Sequence, residues 1–107
     1  MPIVRIDFDD AKLGHPEAIL LSESIQKIVR EATGIEDVFV YANHSDIKVK
    51  IAPIEIFIEM SAHKIKDADK LLSDIKSKIS TWKSENNFKY QINLTLIPMN
   101  WKIEIGI

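Results

Sequence analysis

Apolar and polar residues alternate most cleanly in "APIEIFIEM", where Ile54, Ile56, Ile58 and Met60 share one face of an extended chain and Glu55, Phe57 and Glu59 share the other. Successive side chains of a strand point to opposite faces, so the stretch predicts a strand with one buried face. Ile3 to Phe8 is rich in branched and aromatic residues and breaks at Asp9-Asp10, which predicts another. Val38 to Ala42 reads as a further short strand, closed by a turn at "NHSD", and Tyr90 to Ile97 as a fourth, with Tyr90, Ile92, Leu94 and Leu96 on one face. Two more segments alternate: Ile47, Val49 and Ile51 with lysines between them, and a tail of Trp101, Ile103, Ile105 and Ile107 that predicts a short C-terminal strand.

Two segments follow the helical period instead. After a turn ending at Gly14-His15-Pro16, the residues Leu21, Ile25, Ile28, Val29 and Ala32 line one stripe from about Glu17, and Thr33-Gly34 supplies a glycine stop signal. From Asp67 to Ser84, Ala68, Leu71, Leu72, Ile75, Ile79 and Trp82 form a second stripe, opposite a solvated face of Lys70, Lys76, Lys78 and Lys83. The order is thus β-α-β followed by β-α-β, and both halves open on Pro-Ile, at Pro2 and Pro53. The first helical stripe also maps onto the second at Leu71, Ile75, Ile79 and Trp82, consistent with internal duplication.

These elements predict one α+β domain over residues 1–107: duplicated β-α-β units forming a four-stranded mixed sheet, two helices on one face, and the short C-terminal strand. A ferredoxin-like interleaving of the same elements is the alternative. With both helices on one face, Ile3, Phe57 and Ile97 on the other need cover, and the tail presents an unpaired edge. An oligomer supplies both.

A length of 107 residues fits a single core. Fourteen basic and 16 acidic side chains leave a net charge of −2, which offers no electrostatic basis for binding nucleic acid or an anionic membrane. The absence of cysteine excludes disulfides, thiolate catalysis and thiolate metal sites. No secretory leader or membrane-length apolar run is visible, so the expected compartment is the cytoplasm.

Candidate chemistry is sparse. His15, His44 and His63 lack metal-ligand spacing, and Ser45 and Ser61 are near histidines only along the chain. Gly14, Gly34 and Gly106 are too far apart for a phosphate loop, and Asn43 in an N-x-S match means little without a leader. Pro2 is the exception. As the first residue of an edge strand its missing N–H costs nothing, yet removal of Met1 would leave a secondary amine on a rigid strand, a candidate general base. An α-amine titrates at about 7.7–8.0, and burial or a neighbouring cation lowers that value toward a useful range.

Pro2, the β-α-β-β-α-β order, "EATGIEDVFV" after the first helix and "SAHKI" after the central strand resemble the tautomerase superfamily, which includes 4-oxalocrotonate tautomerase and macrophage migration inhibitory factor. The segments "PIVRI", "APIEIFIE" and "LTLIPMNW" look closest to a small bacterial family within it. The resemblance implies a homotrimer with its sheets forming a central barrel, and a tautomerase-like isomerase without cofactor or metal. Pro2 would move a proton between carbon and oxygen of an enol or 2-keto acid, a small carboxylate-bearing ligand. Lys12 is the ungapped match to one substrate-binding arginine of 4-oxalocrotonate tautomerase, and Phe39 stands where that enzyme has a second. Lys64 and Trp101 match positions near the pocket. Arg5, flanked by Val4 and Ile6, should point to the opposite sheet face and form a cross-subunit salt bridge. A catalytically inactive trimeric binding or interaction module of the same fold is the alternative.

Overall fold

The alternating stretch forms the central strand of a four-stranded sheet. In a computed structural model that describes residues 1–107, the elements are β1 (Ile3–Phe8), α1 (His15–Thr33), β2 (Phe39–Asn43), β3 (Ile54–Ser61), a 3₁₀ turn at Ala62–Lys64, α2 (Ala68–Glu85) and β4 (Ile92–Met99). The strands lie in the order β2-β1-β3-β4. β1 and β2 are parallel, as are β3 and β4, and the pairs join antiparallel through β1 and β3. Each half is therefore an intact β-α-β unit, and the ferredoxin-like interleaving is excluded.

Val4, Ile6 and Phe8 of β1 and Ile54, Ile56 and Ile58 of β3 form one buried cluster with Leu21, Ile25, Ile28 and Val29 of α1 and Ile75 and Ile79 of α2, and Met60 is buried at the far end of β3. Fully burying such a side chain stabilises the fold by about 1.5–3 kcal/mol. β3 alternates buried and half-buried residues along its whole length, as its sequence predicts. No helix is long and apolar enough to cross a membrane.

α1 starts two residues earlier than expected. Pro16 sits in its first turn, where a missing N–H is harmless, and the Gly14 N–H donates to the Glu17 carboxylate at 3.0 Å. Gly34 closes it in the left-handed region at φ 70°, its N–H donating to the Arg30 carbonyl. β4 is displaced toward the C-terminus and runs through Pro98, because parallel pairing with β3 continues to Ser61 and Met99. A proline is tolerated there because β4 is an edge strand.

Neither additional alternating segment is a strand. Ile47–Ile51 lies in the connection between β2 and β3, and residues 100–107 carry no secondary structure, so the predicted C-terminal strand is not formed in the single chain. Alternation supplies a strand with faces but not with a partner, and here neither segment has one.

The helix-free face of the sheet is graded. Ladder partners place Phe39, Ile3, Glu59 and Ile97 in one row, Tyr41, Arg5, Phe57 and Thr95 in the next, and Asn43, Asp7, Glu55 and Asn93 in a third. The face is mostly apolar at the end where β1 starts and polar where it finishes. Arg5 lies on it as expected, but its partners are within the chain: Asp7 at 3.3 Å, Glu59 at 3.8 Å, and the Phe57 ring 4.5 Å beneath the guanidinium.

Candidate active site

Pro2 is less than 2% exposed, although it stands at the very tip of β1. Two neighbours bury it. The Phe39 N–H donates to the Pro2 carbonyl at 3.1 Å, extending the β1–β2 pairing by one residue. One step beyond the Ile3–Glu59 pair of the antiparallel ladder, Pro2 faces Met60, which is 1% exposed. Met60 and the adjoining Val38, also buried, are parts of this surround that the sequence did not single out. The signal was present for Met60 in the alternation of β3, which puts it on the face of Ile58.

The same end of the sheet holds three of the four other candidates. Phe39 is half-exposed at the start of β2, Lys64 ends the 3₁₀ turn that follows β3, and Trp101 lies half-buried two residues past β4. Lys64 lines a recess of about 250 Å³ with Thr33, Lys66, Asp67, Lys70 and Asp74. Neither Lys64, Lys66 nor Lys70 is in an ion pair. The recess sits where α1 ends and α2 begins; Lys64, Lys66 and Lys70 fall within seven residues of one another, and what linear spacing did not show is that Ala32 and Thr33 of α1 complete the lining.

Lys12 does not join them. It follows β1, whose six residues span about 20 Å, and so lies at the opposite end of the sheet from Pro2. Its backbone is committed to structure there: the Lys12 N–H donates to the Asp9 carbonyl at 3.0 Å, and its own carbonyl accepts from the Tyr90 hydroxyl at 2.8 Å. A substrate on Pro2 can meet Lys12 only from another copy of the chain.

That opposite end carries the densest electrostatic network. Lys48 pairs with Asp9 at 3.3 Å and with Asp10, and His44 approaches Asp10 at 3.4 Å with its ring edge-on to Phe8. The Ala11 N–H, donating to Asp9 at 3.0 Å, holds the Asp9 carboxyl below its ordinary value; Lys48 and Lys12 add to this and burial opposes it. No group of three His, Asp or Glu side chains is placed to hold a metal ion.

No protein-family model matches the chain, and a search of curated proteins finds no match. Solved structures do resemble it along its length. A malonate semialdehyde decarboxylase, solved as wild type, as a proline-to-alanine variant and in an inactivated form, superposes with a TM-score of 0.67 over 98% of this chain and 92% of its own, at 8% identity. A protein inactivated by 2-oxo-3-pentynoate superposes with a TM-score of 0.58 over 99% and 93%, at 11% identity. Macrophage migration inhibitory factor from Toxoplasma gondii gives 0.55 over 97% of both chains, at 17% identity. At such identities the likeness establishes the fold alone, one that this chain shares with malonate semialdehyde decarboxylase and macrophage migration inhibitory factor.

Proposed function

We propose that this chain is a tautomerase-type enzyme in which Pro2, freed by removal of Met1, acts as general base on an enol or 2-keto acid. The burial of Pro2 at the tip of a rigid strand carries the reading. Desolvation destabilises an ammonium, so burial at this position would favour the uncharged, basic form of the amine that removal of Met1 leaves. The base takes a proton from one end of the enol or keto system and returns it to the other, with no net change in composition. Lys64, unpaired at the same end of the sheet, is suited to hold the substrate carboxylate as a point charge. Fold neighbours acting on malonate semialdehyde or inactivated by a 2-oxo acid support this substrate class.

The uncovered, partly apolar sheet face supports assembly into a homotrimer, in which Trp101 closes the site. The test is ketonisation of an enolised 2-keto acid by chain that starts at Pro2, compared with Pro2→Ala. Loss of more than about tenfold is expected for a general base; a smaller loss overturns the assignment. Phe39, an aromatic at a position where 4-oxalocrotonate tautomerase carries a cation, favours a second reading, the inactive binding module. That module would retain ligand affinity in Pro2→Ala and show no turnover in either protein.

A further inference from the structure

The Nε of Arg30 is the only buried side-chain nitrogen or oxygen in the chain without a hydrogen-bond partner. Buried polar groups are nearly always paired, so an orphan donor here calls for an acceptor. The rest of the guanidinium is scarcely better served. Its Nη2 meets Glu36 at 3.2 Å, in a contact where the Arg30 side chain is 41% exposed and that of Glu36 85%. A pair so open to solvent is weak, because water screens it. Nε and Nη2 share one edge of the planar guanidinium, the fork that grips a carboxylate through two parallel N–H donors. Here that fork is half used: Glu36 touches one prong and the other has no partner.

Local structure fixes where the fork stands. Arg30 lies in the last turn of α1, its carbonyl capped by the Gly34 N–H at 2.8 Å. One turn earlier, Gln26 donates to the Val38 carbonyl at 3.0 Å, which ties this flank of α1 to the residues entering β2. The Val38 N–H donates to the Glu36 carbonyl at 3.1 Å, so Glu36 is held in a tight turn against Val38. Carried one step back from Ile3 and Phe39, the β1–β2 register sets Val38 beside Pro2 at the spacing of neighbouring strands, about 4.8 Å. Glu36 is two residues further, at most about 7 Å along the chain. The half-used fork therefore adjoins the strand neighbour of Pro2, at the end of the sheet where the functional reading puts the substrate.

We propose that Arg30 is a substrate-binding residue of the Pro2 site, its Nε and Nη2 taking the carboxylate of a 2-keto acid in place of Glu36. Glu36 is a stand-in carboxylate, loosely held until the substrate displaces it. Phe39 leaves the start of β2 without a cation, and Arg30 supplies one from the neighbouring end of α1. Lys64 approaches from the β3 side as a point charge, whereas the fork adds direction and so orients the keto carbon joined to the carboxylate. The inference rests on the reading of Pro2 as the site of a 2-keto acid and adds the residue that orients it.

Affinity for pyruvate, read by NMR titration of chain that starts at residue 2 and carries Pro2→Ala, tests the fork without requiring turnover. Arg30→Ala should weaken binding by about tenfold, the loss expected for hydrogen bonds to a charged group. Arg30→Lys should recover only part of it, since an ammonium has no fork. Glu36→Gln should act in the opposite direction and tighten binding by about two- to fivefold, because the competing carboxylate is gone. A merely structural pair would make Arg30→Ala and Glu36→Gln act alike. Shifts of the same sign, no shift in either, or no pyruvate binding at all overturn the fork, and Arg30→Lys with Glu36→Gln keep the test open where Arg30→Ala fails to fold. With Pro2 intact, the same signs should appear in KM with kcat little changed. Binding that follows these signs in protein without turnover supports the fork and overturns the general-base role of Pro2; turnover that needs Pro2 but ignores Arg30 does the reverse.

Discussion

The two ends of the sheet are built on different plans. Where β1 finishes, a set of polar groups is spent inside the chain: Lys48 on Asp9 and Asp10, His44 on Asp10, and the Tyr90 hydroxyl on the Lys12 carbonyl. Phe88 lies between Tyr90 and Trp82, with ring centroids 5.6 and 5.0 Å away, and ties the end of α2 to the same region. Where β1 starts there is a buried proline, an apolar surround and three unpaired lysines. Charges already satisfied locally hold a fold together, whereas a buried proline and unpaired cations at one end of the sheet leave that end open to a ligand. By this contrast Lys12 reads as part of the structural end and Lys64 as part of the functional one.

The sharpest way to separate the ends is Pro2→Ala in processed protein. Activity on an enolised 2-keto acid should fall by about a hundredfold to ten-thousandfold, with thermal stability close to wild type. Ile58→Ala should blur the contrast by striking both ends at once. Ile58 is fully buried, so urea unfolding should show a loss of about 2–5 kcal/mol. Lys64→Ala should raise KM by about tenfold with kcat nearly unchanged, the signature of a lost carboxylate contact. Lys12→Ala is the control within the assembled protein; an equal rise in KM there would show that a neighbouring copy delivers Lys12 and that the two ends meet in one site.

The smallest effect belongs to the Asp9 network. With its carboxyl held below the ordinary value near 3.8, Asp9 contributes stability that is present above that pH and disappears as pH falls through its lower, folded value. Asp9→Asn should therefore unfold at a similar denaturant concentration to wild type at low pH and a lower one at neutral pH. Unchanged curves at both pH values would remove Asp9 from the account of this end.

Most of the architecture was legible because it depends on short-range periodicity. β3 and both helical stripes declare their buried faces within a few turns or pleats, and Gly34 marks the end of α1 by the one conformation that favours glycine. The start of α1 was harder, since Pro16 ends helices in their interior and begins them in their first turn. Ile47–Ile51 and the tail misled because alternation specifies two faces and says nothing of whether an edge is within reach.

The candidate site divides along the same line. Pro2 and Phe39 are adjacent in space because the parallel ladder of β1 and β2 begins at Ile3 and Phe39, and Lys64 joins their end because it directly follows β3. Lys12 matched by spacing yet is about a strand's length away, which no count along the chain could show. The sequence by itself determined the β-α-β halves, their apolar faces and the position of a proline able to become a terminal amine. Only the tertiary structure decided the strand order, the burial of that proline, and which charges were already paired. Strand pairing and desolvation join residues far apart in the chain, and those pairings lie beyond any local pattern.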